Sequence, residues 1–211
     1  MSDPLSRGRL AYPRTLLLSL ITLTGAGCGE ARLHAPKVSP EEAARIALAD
    51  YDTNGDGFID EEEAAHSPGL KAALKHWSKS GKLSPDEIIE RFHRYGESEV
   101  AIVGVHCRVL FGGRPLVGAQ VTFVPEKFMG PNVKPATGIS DDSGMVELLI
   151  DRQTFPGVHR GVYRIEVSKR DSAGTELLPA RYNSATTLGE EVAEDPGRYT
   201  RTTIVLHLTS E

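Results

Sequence analysis

A chain of 211 residues that is 39% apolar and 25% charged can bury a core in one or two domains, and its composition excludes a disordered polyelectrolyte. A net charge of −5 leaves no basic stripe and so excludes a nucleic-acid partner.

The chain opens on Arg7, Arg9 and Arg14 ahead of an apolar run, Leu16, Leu17, Leu18, Leu20, Ile21 and Leu23, that ends in Gly25-Ala26-Gly27-Cys28. A basic flank, a short apolar stretch and small residues before a cleavage point describe a secretory signal. The stretch from Thr15 to Gly27 is shorter than the ~20 residues a helix needs to span a bilayer. Its ending resembles the lipoprotein box of bacterial envelope proteins. The resemblance implies a signal segment over residues 1–28, a lipid anchor on Cys28 and attachment to a membrane of the cell envelope. An ordinary cleaved signal, with a periplasmic or secreted product, and an uncleaved anchor are the other readings. With Cys28 lipidated only Cys107 remains, so no disulfide forms within the chain and stability comes from packing and metal.

Residues 29–38 read as a polar tether, residues 39–96 as a helical block and residues 99–210 as a strand block, because the apolar period changes from 3.6 to 2 near Gly96. Ser39-Pro40-Glu41-Glu42 and Ser84-Pro85-Asp86-Glu87 both predict a capping box with proline in the first turn. Ser67-Pro68-Gly69 opens a further helix without a glutamate at the third position. Ile46, Ala47 and Tyr51 give the first helix its apolar face. Leu70, Ala73, Leu74 and Trp77 share a face of the next, and Ile88, Ile89, Phe92 and Tyr95 a face of the last.

Between the first two helix signals lies Asp52-Thr-Asn54-Gly-Asp56-Gly57-Phe58-Ile59-Asp60-Glu-Glu-Glu63. Calcium takes about six to eight hard oxygen ligands, so a short loop must curl around it and turn alternate side chains inward. Asp52, Asn54 and Asp56 supply side-chain oxygens at positions 1, 3 and 5, and Gly57 permits the sharp turn. Phe58 offers a carbonyl, Asp60 sits where ligation often runs through water, and Glu63 closes the loop with a carboxylate. This spacing is that of an EF-hand calcium loop, and it predicts one Ca2+ site.

A second segment in the same frame runs from His76 to Glu87. Gly81 falls at its turn, Leu83 at position 8 and Glu87 at position 12, but positions 1, 3 and 5 are His76, Ser78 and Ser80, and Lys79 and Lys82 add positive charge. The expected arrangement is a metal-free half whose Leu83 pairs with Ile59. The phrases Ser67-Pro68-Gly69-Leu70-Lys71 and Gly81-Lys82-Leu83-Ser84 resemble compact EF-hand pairs of secreted bacterial proteins. The close spacing of the two loops is also that of dockerins, so a calcium-dependent docking module is the alternative.

In the strand block Val103, Val105, Cys107, Val109 and Phe111 lie on one face, with Gly104, His106 and Arg108 on the other. Ala119, Val121 and Phe123, then Tyr163, Ile165 and Val167, and then Ile204, Leu206 and Leu208 show the same period of 2. Turn signals at Gly112-Gly113, Asp141-Asp142-Ser143-Gly144, Pro156-Gly157 and Pro196-Gly197 divide the runs. The pattern predicts an antiparallel β-sandwich of about seven strands, and with the helical block an α+β multidomain chain. Gly113-Arg-Pro-Leu-Val-Gly-Ala119, Val121-Thr-Phe-Val-Pro125, Ser140-Asp-Asp-Ser-Gly144, Gly161-Val-Tyr163 and Leu178-Pro-Ala-Arg-Tyr-Asn183 resemble the carboxypeptidase regulatory-like domain, a transthyretin-like sandwich. That resemblance implies a noncatalytic structural or binding module. One transthyretin-like branch hydrolyses 5-hydroxyisourate, but the ending Leu206-His-Leu-Thr-Ser-Glu211 departs from its C-terminal signature. His106 and His207 fall on outward strand positions and Cys107 on an inward one, and no catalytic motif appears. The chain as a whole reads as a calcium-binding, non-enzymatic envelope lipoprotein with room for a protein partner in the envelope.

Overall fold

The computed structural model describes residues 34–97, 100–151, 153–193 and 202–210. The signal segment with Cys28, and the first part of the tether, lie outside the described residues.

Four helices form where the Ser-Pro openings and the acidic loop place them: α1 (Pro40–Tyr51), α2 (Glu61–Ala64), α3 (Pro68–Trp77) and α4 (Pro85–Gly96). Ser84 and Glu87 close a capping box at the start of α4, and the Ser67 hydroxyl accepts from the Leu70 amide at 3.2 Å to start α3. The box expected at Ser39 does not form, because Glu42 is held by the Arg45 guanidinium at 2.6 and 2.8 Å and is turned away from the helix start. A further box of the same spacing, with Asp60 as the cap and Glu63 as the third residue, opens α2. The expected faces are buried at Leu70, Ala73, Leu74 and Trp77 in α3 and at Ile88, Phe92 and Tyr95 in α4, with Ile89 half-buried; in α1 Ala47 is buried together with Ala43 and Ala44, while Ile46 and Tyr51 are half-buried.

The strands are β1 (Val105–Phe111), β2 (Arg114–Pro115), β3 (Gln120–Pro125), β4 (Ala136–Ile139), β5 (Met145–Val146), β6 (Leu149–Ile150), β7 (Gly161–Ser168), β8 (Leu188–Val192) and β9 (Thr202–Leu208). Among the described residues they make two sheets. In the five-stranded sheet the order is β6-β4-β3-β7-β8, antiparallel throughout. The four-stranded sheet centres on β1, which takes β2 and β5 antiparallel. Along its other edge β1 takes β9 in parallel, with Cys107 opposite Ile204 and Val109 opposite Leu206. The expectation of a wholly antiparallel sandwich is therefore corrected at this pair. Alternation alone does not encode direction, since parallel and antiparallel strands share the period of 2. Among the described residues nine strands replace the roughly seven expected, three of them only two residues long and too short to show a period.

Val121, Phe123, Ile165 and Val167 of the larger sheet and Cys107, Val109 and Leu208 of the smaller are all buried, and they belong to one continuous apolar cluster that also contains the helical faces. The described residues belong to one compact unit. The change of period near Gly96 thus marks a change of secondary structure inside a shared core.

Three contacts explain how α3 and α4 seat on the sheet. Gly189 of β8 meets the backbone of Pro68 so closely that a Cβ there would lie 2.0 Å from the Pro68 carbonyl carbon. One residue on, the Gly69 amide donates to Oε1 of the buried Glu126 at 2.9 Å. At the end of α4, Arg91 Nε and Tyr95 Oη both donate to Oε1 of Glu191 on β8, each at 2.6 Å. Burial, with the Glu191 carboxylate beside it, pushes the Tyr95 phenol well above its ordinary range, so it stays protonated and donates.

Candidate metal centre

The loop from Asp52 to Glu63 begins at the C-terminus of α1, where the Asp52 amide donates to Leu48 O at 2.9 Å. Its carboxylates organise its own backbone. Asp52 Oδ1 accepts from the amides of Gly55 and Asp56 at 2.7 and 3.2 Å, and Oδ2 from Gly57 at 2.9 Å. Asn54 Oδ1 accepts from the Asp56 amide at 2.8 Å, and Asp56 Oδ1 from the Phe58 amide at 3.0 Å. Gly57 has φ +82, the left-handed region that only glycine enters without strain. Phe58 follows this turn, and its ring is 43% exposed.

The loop closes at the start of α2. Asp60 Oδ1 accepts from the amides of Glu62 and Glu63 at 3.0 and 3.1 Å. Glu63 is buried, and its two oxygens tie the ends of the loop together. Oε2 accepts from the Asp60 amide at 3.1 Å, while Oε1 accepts from Thr53 and Asn54 at 2.8 and 3.1 Å. The Asp60 amide, followed by those of Asn54 and Thr53, holds the Glu63 carboxyl below its ordinary 4.5 against the opposing effect of burial.

The second segment has the same backbone turn and a different chemistry. Gly81 has φ +85, matching Gly57. Ile59 and Leu83 pair across the two loops with reciprocal bonds of 2.9 and 2.8 Å, and both side chains are fully buried. The pairing expected between these two residues is thus present. Where the first loop has acid and amide side chains, the second has Ser78 and Ser80, whose hydroxyls both donate to the Lys82 carbonyl at 2.5 and 3.1 Å. Lys82 stands at position 7, as Phe58 does in the first loop. A carbonyl that would face a cation at this position in a loaded loop is here satisfied by two O–H donors.

The Lys82 side chain leaves its own loop and enters the acidic one, with Nζ 2.7 Å from Asp56 Oδ2. This bond, ahead of the Phe58 amide, holds the Asp56 carboxyl below its ordinary value. In return Asp56 first, and Asp60 and Glu63 at longer range, hold the Lys82 ammonium above its own. The sequence marks Lys82 only as a charge spoiling a second site; its reach across to Asp56 depends on the Ile59–Leu83 pairing, which brings position 7 of one loop beside the other.

The donor set suits a hard divalent cation. It consists of oxygens alone, four of them on carboxylates, with no thiolate or imidazole among them. Among the described residues, no three His, Cys, Asp or Glu side chains converge as a ready-made cage. The loop carboxylates are instead turned onto backbone amides and the Lys82 ammonium.

The other candidates are dispersed. Cys107 is fully buried, and desolvation pushes its thiol up to about 12. In the β1–β9 register His106 faces Thr203 and His207 faces Leu110, so the two imidazoles are not neighbours across the strands. Trp77 and Phe92 are buried against each other edge to face, with ring centroids 5.6 Å apart.

The sequence matches no known family and no curated protein. Among solved structures, the major pilin subunit of Bacillus cereus aligns with a TM-score of 0.31 and 17% identity, over 52% of this chain. The chain spans 30% of that pilin's length. A match at this level assigns neither fold nor function.

Proposed function

We propose that this protein is a calcium-binding, noncatalytic lipoprotein of the cell envelope, in which one Ca2+ held by residues 52–63 serves as a structural ion. The helical block is read as an EF-hand pair with a single active loop. The strand block is read as a carboxypeptidase regulatory-like, transthyretin-like sandwich. The observation that carries the reading is the pairing of Ile59 with Leu83 behind two glycine turns, with the full oxygen set on only one side of the pair. Asp52, Asn54, Asp56, Phe58, Asp60 and Glu63 would hold the ion, and Cys28 would carry the lipid. The ion would neutralise Asp52, Asp56, Asp60 and Glu63, which crowd one short loop, and so fix α1 to α2.

Extracellular calcium sites function with Kd of about 10⁻⁴–10⁻³ M, which an envelope compartment can satisfy. At a hundredfold excess over Kd such an ion stabilises the folded state by about 2.7 kcal/mol. A calcium-dependent docking role of the dockerin type would be favoured by exposed apolar residues around Trp77 and Phe92 in the calcium form; without calcium both residues are buried. The structural role is therefore preferred.

Calorimetric titration of the purified protein with CaCl2 tests the metal reading: one site per chain is expected. Heat for two sites, or none at millimolar calcium, would count against it. Mass spectrometry of the mature N-terminus tests the anchor, with a diacylglyceryl-modified Cys28 as the expected product.

A further inference from the structure

The geometry points to Lys82 as a built-in counter-ion of the 52–63 loop, one that occupies Asp56 in the metal-free protein and sets the calcium concentration at which the loop fills. The inference rests on the calcium reading above and adds a residue to it from outside the loop.

Three observations carry it. Lys82 Nζ lies 2.7 Å from Asp56 Oδ2, the outward oxygen of a residue whose other oxygen is engaged by the Phe58 amide. Second, the backbone of Lys82 is fixed by the loop pair. Its carbonyl accepts from the Ser78 and Ser80 hydroxyls, and the next residue, Leu83, exchanges two backbone bonds with Ile59. An ordinary surface ion pair loses most of its gain to the ordering of two long side chains, and here part of that ordering is already done by the loop pair. Third, the contact is selective. Lys79 lies in the same exposed turn and, among the described residues, forms no ion pair with the acidic loop.

A cation entering the loop needs the Asp56 carboxylate, so it must displace the ammonium and then sit beside a positive charge tethered nearby. Both effects weaken binding. The same ammonium relieves the repulsion among four carboxylates when no metal is present. Lys82 therefore exchanges metal affinity for stability of the empty loop. The serine-rich half of the pair, which has no acidic side chain at positions 1, 3 and 5, thereby acts on the occupancy of the other half.

The test compares calcium titrations of the full-length protein and its Lys82→Met, Lys82→Arg and Lys79→Met variants at one ionic strength, with thermal melts in chelator alongside. Lys82→Met is expected to tighten Kd about three- to tenfold, in the range given by removing one partly screened charge contact and one repulsion. It is also expected to lower the midpoint in chelator. Lys82→Arg and Lys79→Met are expected to stay within about twofold of the parent Kd, a limit set by the small effect of exposed charges. If the parent binds calcium and Lys82→Met binds it equally well, the role of Lys82 is overturned while the metal reading stands. Equal tightening by Lys79→Met would also overturn it, by reducing the effect to net charge. Should neither the parent nor Lys82→Met take up calcium at millimolar levels, the metal reading falls and this inference with it. If Lys82→Met does not fold, Lys82→Gln gives the same comparison.

Discussion

Arg91 of α4 and Glu191 of β8 are joined at 2.6 Å across 100 residues of sequence, with only 11% and 5% of their side chains exposed. Tyr95 donates to the same carboxylate oxygen, and the Arg91 guanidinium lies 5.6 Å from the Tyr95 ring centroid. Removing one partner of such a buried pair strands the other charge. Glu191→Ala is therefore expected to destabilise the fold by about 3–5 kcal/mol in urea unfolding, while Arg91→Met combined with Glu191→Leu costs much less than the sum of the single changes. Additive losses would mean that the pair is not coupled.

Gly189 makes a second prediction about the same seam. A methyl group at this position meets main-chain atoms of Pro68, which no rotamer change can move aside. Gly189→Ala is expected to destabilise by about 1–3 kcal/mol, the cost of overpacking a close-fitted contact. An unchanged midpoint would show that α3 can shift on β8 without loss.

Glu63→Gln removes a charge that the loop uses twice, on its own amides and in the proposed metal set. In calcium it is expected to lower the thermal midpoint sharply, and in chelator to lower it much less. Equal losses in both conditions would leave the residue a purely structural role.

The pH dependence has a defined sign. Glu63 is held below its ordinary 4.5 by loop amides, and Asp56 below its ordinary 3.8 first by Lys82. In this window the unfolded chain binds more protons than the folded one, so stability rises with pH. The contribution is complete above the ordinary values and is lost as pH falls through the lowered folded ones. Melts in chelator between pH 6 and pH 3 are expected to show a falling midpoint below about pH 4.5, with part of the fall absent in Glu63→Gln. Glu190, raised by burial, acts in the opposite sense.

Cys107 is enclosed between the sheets, and its thiol is pushed up to about 12. In a Cys28→Ser protein at pH 8, a thiol reagent is expected to label Cys107 only after denaturant is added, since both access and thiolate are lacking in the folded state. Rapid labelling of the native protein would contradict the burial.

Much of this architecture can be read from the sequence wherever one residue type answers one local need. Ser84 and Ser67 announce their helices, Gly57 and Gly81 their turns, and the apolar periods of α3, β3 and β7 identify the buried faces. What escapes is long-range. The closeness of Gly189 to Pro68 and of Gly69 to Glu126 depends on how a helix lands on a sheet, which no local spacing records. The direction of β9 escapes for a related reason, because its alternation is the same whichever way it runs. At the candidate centre the acidic positions are legible one by one. The partner of Asp56 is not, because Lys82 comes near it only through the pairing of two loops.

The parallel pairing of β9 with β1 has a consequence for how the chain reaches its final state. Val105 cannot gain its neighbour Thr202 until β9 has been synthesised, and the seven-residue register beside β1 is then completed in one long-range step. The smaller sheet therefore stays open along one side until β9 has been made. Within that sheet β1 is made first and β9 after the others, so its longest register closes only when the two ends of the strand block meet.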